Sequence, residues 1–215
     1  MGEGSSPGQG KGPIGEWCTV RPVTIASAAA PSRLLAPALA AASIVVFLLA
    51  GRAEAAETAW SANLAPAGAC SAADDAAAPV AAQARAVACL VNWARGQENR
   101  ARLHRRSALQ RAAELKGQSV ASCGQFSHTP CGAPVTSGVN ASGYRYATFG
   151  ENLFAGTWGQ ATPREVVNAW LNSPPHRANM MSGRFRHVGA APVRASGLLG
   201  GGDVVVWTAT FASPR

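Results

Sequence analysis

The chain has no C-x-x-C pair and no H-E-x-x-H run, so neither a thiolate zinc knuckle nor a sequence-local histidine metal site is written into it. No G-x-S-x-G elbow surrounds Ser173, which removes the usual setting of a nucleophilic serine at that position. Acidic residues are scarce: 11 Asp plus Glu stand against 19 Lys plus Arg, a formal net charge of +8. Aromatics are few, and none interleave with basic positions 95, 100, 102, 105, 106 and 111. A stacking platform for nucleic acid is therefore missing, and these residues read as a solvated helical face. There is no internal repeat, which excludes a solenoid.

What is present divides the chain into regions. Residues 1–33 are rich in Gly, Ser, Pro and Ala without hydrophobic period, and are expected to be a disordered extension. Residues 34–55 read as a secretory signal. Leu34 to Ala50 is uncharged and apolar, Arg21 and Arg33 precede it, and Ala53 and Ala55 supply an A-x-A cleavage site. The apolar run is 17 residues with Pro37 inside it, short of the roughly 20 that span a bilayer. An uncleaved membrane anchor is the alternative. Residues 56–79 read as a low-complexity linker, and 80–215 as the folded domain.

Loss of the signal removes Cys18 and leaves Cys70, Cys89, Cys123 and Cys131. An even number in an exported chain favours two disulfides over a metal site. Of three possible pairings the local ones, Cys70 with Cys89 and Cys123 with Cys131, are expected, each worth about 2–3 kcal/mol by loop entropy. The second would staple the loop that holds His128. Beyond residue 55 there are 15 Lys plus Arg and 8 Asp plus Glu, a net of +7. Such a surface is drawn to anionic cell-wall polymer, lipid headgroups or nucleic acid.

Periodicity gives the elements. Val87, Leu90, Val91 and Ala94 line a helical face ending near Gly96. Ser107 with Gln110 forms a capping-box pattern before a second helix reaching about Ser122, although Gly117 interrupts its middle. Tyr146 to Gly156 suits a strand. Thr162-Pro163-Arg164-Glu165 caps a third helix, which must stop before Pro174. Ser173-Pro174 can then open a short helix carrying His176 in its first turn, where the dipole keeps the imidazole neutral. His187 to Ala195 and Val204 to Ala212, split by the glycine-rich Gly197 to Gly202, read as an antiparallel hairpin. The class is α+β.

Three polar positions stand out. His128 follows the second helix, with Phe126 as an apolar anchor beside it. Glu151 lies within an apolar strand context, where a carboxylate must pair, accept hydrogen bonds or face a cleft. His176 precedes Arg177, a candidate ion-pair donor, and Asn179, a candidate loop holder. Asn152 and Ser173 are expected to line the same cleft, with Ser173 already explained as a helix cap. Two imidazoles and one carboxylate suit a divalent cation such as zinc, with His128 and His176 as ligands, or a water polarised by Glu151.

With those flanks in view, the chain resembles the CAP superfamily: cysteine-rich secretory proteins, antigen 5 and pathogenesis-related 1 proteins, or the SCP domain. Residues 85–213 carry the likeness. Its motifs are the FSHT segment Phe126 to Thr129, GENLFAG from Gly150 to Gly156, the W-x-N-S-P-x-H-R-x-N pattern from Trp170 to Asn179, and the terminal VVVWTATFA. The bacterial secreted branch is the most similar. The resemblance implies a three-layer α-β-α sandwich with a mainly antiparallel sheet and a central cleft holding two His and two Glu, which binds a divalent cation in some members. His128, Glu151 and His176 match three of these positions, whereas the second Glu is replaced by Ser173.

Two functions follow as expectations. The first is a secreted, monomeric, non-enzymatic binding module for an anionic cell-envelope polymer, a lipid or a host partner. The second is a metal-assisted extracellular hydrolase with Glu151 as its base. Nucleic acid is not expected as a partner.

Overall fold

The computed structural model describes residues 60–215; the expected extension, the signal segment and Cys18 lie outside them. Among the described residues the elements run α1 (Val80–Gln97), β1 (His104–Arg105), α2 (Ser107–Cys123), α3 (Ser137–Ala141), β2 (Tyr146–Thr157), α4 (Pro163–Asn172), α5 (Pro174–Met181), β3 (His187–Ser196) and β4 (Asp203–Pro214). The strands form one sheet in the order β1-β3-β4-β2, antiparallel except for the short parallel β1/β3 pair.

Alternation along β4 explains the layers. Val205, Trp207, Ala209 and Phe211 face one side, where they join Val87, Leu90, Val91 and Ala94 of α1 with Val166, Val167, Trp170 and Leu171 of α4. Val206 and Ala212 face the other, against Val120 and Leu109 of α2. Helices on both faces of a mainly antiparallel sheet make the α-β-α sandwich. The closing hairpin is as read from the sequence, with β3 and β4 paired from His187/Ala212 to Ser196/Asp203.

Glycines let α2 approach the sheet. A Cβ on Gly117 would come within 2.6 Å of Val193 Cγ2, so the residue that interrupts the helical pattern is where helix and sheet touch. α4 begins with the expected capping box, Thr162 and Glu165 each satisfying the other's backbone amide, with Pro163 in the first turn. α2 does not. Its cap position belongs to Arg106, which makes no side-chain capping bond, and Ser107 is already helical. The cause is β1: the Arg106 amide is committed to Val188 O at 3.1 Å, so strand and helix adjoin with no turn between them.

The supposed linker is corrected from residue 60 onward. Ala65, Cys70 and Ala73 are buried in the main core, with Trp60 and Leu64 packed against it. Arg164 binds this segment through Asp74 and the Ala65 carbonyl. The run of Ala, Gly and Pro concealed these contacts because small side chains and one disulfide carry them. Both expected disulfides, Cys70–Cys89 and Cys123–Cys131, are present. The second closes a loop of sequence separation 8. Replacing both its cysteines by serine should lower the free energy of unfolding by about 2–3 kcal/mol in urea titrations, with faster amide exchange at Ser127 to Thr129.

Candidate functional site

β2 is an edge strand, and the site is built across it. Successive residues of a strand project to opposite faces: the Glu151 side chain reaches toward α2, and the Asn152 side chain toward α5. Glu151 Oε1 lies 2.8 Å from His128 Nδ1 and 3.7 Å from Lys116 Nζ. Asn152 donates to the His176 carbonyl at 3.0 Å. Asn179 donates to Glu151 O at 3.1 Å and to Asn152 Oδ1 at 2.9 Å, which ties α5 to both halves. Gly150 makes this possible: a Cβ there would meet Phe185 at 2.7 Å and Asn179 Oδ1 at 3.1 Å.

The Glu151 side chain is 3% exposed, that of Lys116 1%, and that of His128 49%. A buried ammonium, a buried acid and a half-exposed imidazole therefore run outward from the core. Burial pushes the Glu151 carboxyl above the usual carboxylate range, against the pull of His128 and then Lys116. When ionised, Glu151 can only accept, so His128 donates to it from Nδ1. Burial, followed by the charge of His128, holds His176 below the ordinary imidazole value. The neutral His176 expected from the helix dipole thus has desolvation as its leading cause.

Lys116 is the site residue that the sequence reading missed. Leu109, Ala112, Ala113, Lys116, Gly117 and Val120 form the buried stripe of α2, so a lysine on an apolar stripe was the available signal. Its ammonium also donates to His128 O at 2.5 Å, fixing the loop that presents the imidazole.

Other expectations change. Asn152 is fully buried and supports the cleft from beneath instead of lining it. Ser173 is the residue between α4 and α5, yet its side chain makes no capping bond. Among the described residues Arg177 pairs with no acid; it donates to Leu171 O at 2.6 Å and stacks over the Trp60 ring at 4.4 Å. Phe126 is 41% exposed and anchors nothing in the core. Arg95, assigned to the solvated basic face, is buried, with its guanidinium donating to Ala101 O, Met180 O and Ser182 O.

The donor set does not fit a divalent cation. Among the described residues no three His, Cys, Asp or Glu side chains converge as ligands. A fixed ammonium already faces the carboxylate oxygen that an ion would need, and the fourth position is Ser173. A second cation there would meet charge repulsion in a poorly solvated place.

The geometry places a histidine loop, an edge-strand acid and a short proline-led helix together, and comparison with known proteins gives that grouping a family. Residues 89–211 match the profile of the cysteine-rich secretory protein family, CAP. The chain belongs to the CAP family. A relative, the uncharacterized protein YkwD of Bacillus subtilis, is 31% identical over 133 residues, 61% of this chain and 48% of the relative. This chain thus spans about half the length of that relative. Two solved structures share the fold. An outer surface protein of Borrelia burgdorferi is 18% identical with a TM-score of 0.52, covering 60% of this chain and 90% of that one. An extracellular SCP-domain protein of Bacillus anthracis is 18% identical with a TM-score of 0.51, covering 63% and 41%.

Burial also favours the neutral form of the His187 imidazole. His187, on β3, shares a hydrogen bond between Nδ1 and the Tyr144 hydroxyl at 2.5 Å, and burial, then Arg106 and His104, lower its proton affinity. A histidine with a depressed folded pKa binds its proton more readily when unfolded, so stability falls as pH drops below about 6.5 toward the folded value. The loss steepens to at most about 1.4 kcal/mol per pH unit for each such group. His187→Gln should flatten the difference in unfolding free energy between pH 7.5 and 5.5, read by urea titration at each pH.

Proposed function

We propose that this CAP domain is an extracellular, non-enzymatic binding module of the bacterial cell surface, exported by the signal at residues 34–55 and acting as a monomer. Its partner is an anionic cell-envelope polymer, a lipid or a host molecule. The observation that supports this best is the closure of Glu151. The one carboxylate suited to general-base work is sheltered from solvent, hydrogen-bonded to His128 and faced by Lys116. A base must reach the proton it abstracts, and the outward-facing group here is an imidazole with no nucleophile bonded to it. The two structural neighbours, an outer surface protein and an extracellular protein, agree with an external location.

The metal-assisted hydrolase keeps one supporting feature, the 2.8 Å imidazole–carboxylate pair. A single experiment separates the readings: sedimentation with isolated cell envelopes, together with analysis of the supernatant for released fragments. The module binds equally with and without chelator, takes up no stoichiometric zinc on titration, and releases no fragments. Fragment release that chelator abolishes and that Glu151→Gln cuts about a hundredfold, in a variant shown to be folded, would establish the hydrolase instead.

A further inference from the structure

At the edge of the sheet opposite the His128–Glu151 site, the chain between α1 and β1 carries arginines on a rigid support. Asn92, buried in α1, donates to Leu103 O at 2.9 Å and accepts from Leu103 N at 2.7 Å. Arg95, also buried, donates to Ala101 O at 2.8 Å, and its own carbonyl accepts from Arg100 N at 2.8 Å. His104 N donates to Arg186 O at 2.9 Å, joining this segment to the start of β3. The backbone of residues 100–104 is thereby fixed while Arg100, Arg102 and His104 stay exposed on it.

Two adjoining cavities flank this segment, of about 420 Å³ and 530 Å³, and both are lined by Arg102 and His104. Arg85 and Arg105 line the first, Arg100 and Arg186 the second, and no acidic residue lines either. The ion pairs among the described residues involve none of these five arginines. Buried Arg95 has its proton affinity lowered first by burial and then by the charge of Arg100.

We propose that this trough is a binding site for an extended phosphodiester polymer. A planar guanidinium presents paired donors that match phosphate oxygens. Charges spread along two connected hollows call for a ligand whose charges repeat along a chain, and fixed backbone removes much of the ordering cost of holding such side chains in place. Phe185, the one Phe, Tyr or Trp that lines either hollow, is only 8% exposed, which argues against a nucleic acid, whose bases would need open stacking partners. The proposal rests on the reading of an extracellular binding module and gives that module a ligand class and a face, remote from the Glu151 cleft.

The test is fluorescence anisotropy of a soluble glycerol-phosphate oligomer titrated with the protein at several salt concentrations. Arg102→Ala with Arg186→Ala should weaken binding about tenfold or more and flatten the log–log salt slope by about one unit per arginine removed. Arg111→Ala with Arg145→Ala removes the same charge from elsewhere and should change affinity less than about twofold. Matched unfolding midpoints show that all variants are folded. Equal weakening by the two pairs overturns the proposal in favour of diffuse charge. Polyglutamate or single-stranded DNA binding as tightly, or binding seen only on phosphatidylglycerol vesicles, overturns it too. Loss in Glu151→Gln with retention in the trough variant would move the ligand to the cleft, leaving the binding-module reading intact. Cleavage of the oligomer by the wild-type protein would sink that reading alone.

Discussion

Replacing Lys116 by methionine should lower the free energy of unfolding by about 3–5 kcal/mol at neutral pH, and adding Glu151→Gln should recover a substantial part of that loss. The ammonium is 3.7 Å from Glu151 Oε1 and both side chains are nearly inaccessible. Methionine keeps most of the volume but leaves a buried carboxylate with His128 alone. Urea titrations of the two single variants and the double variant form a cycle whose coupling energy should be about 1–3 kcal/mol. Near-additive losses would mean that Lys116 contributes only packing and its bond to His128 O.

The pH dependence supplies a second check on the same pair. Removing the cation raises the folded pKa of Glu151 further above its unfolded value. A carboxyl with a raised folded pKa favours the native state below the unfolded pKa and loses that contribution as pH rises through the folded one. The deficit of Lys116→Met should therefore widen from pH 5 toward pH 8. A deficit that does not vary with pH would show that Glu151 is not the group left exposed to the loss.

Local chemistry made much of this legible. Thr162 and Glu165 announce the start of α4, the alternation of Val204 to Ala212 announces β4, and two even pairs of cysteines announce their partners. His128, Glu151 and His176 could be assigned to one cleft from their flanking motifs and the family resemblance, and the carboxylate among apolar neighbours stood out by its need for a partner. What stayed hidden depends on which face an element turns inward. Arg95 and Arg100 look alike in the sequence, yet one lies on the buried side of α1 and ties three carbonyls, while the other faces solvent. Lys116 was hidden for the same reason, because composition treats every basic residue as surface. Residues 60–79 were hidden because alanines pack as effectively as larger side chains wherever two backbones run close.

That closeness is extreme at Gly189, where the second large effect is expected. Gly189→Ala should destabilise the fold by about 4 kcal/mol or more, beyond the usual range for one methyl group. A Cβ at this position would lie 2.1 Å from Gln110 N and 2.2 Å from Leu109 C. These are backbone atoms of the first turn of α2, so no side-chain rotation relieves the clash. The helix would have to lift from the sheet, withdrawing Leu109 and Ala112 from their packing on Ala212. It would also draw Lys116, further along the same helix, away from Glu151. The variant should therefore show both a lower urea midpoint and a weakened His128–Glu151 hydrogen bond, the second visible as a changed His128 Nδ1 chemical shift by NMR. Gly183→Ala, where an added Cβ meets nothing within 4 Å, should change the unfolding free energy by less than about 0.5 kcal/mol. Equal tolerance at the two positions would mean that α2 does not rest on the strand, and with it the placement of Lys116 under the carboxylate would fall.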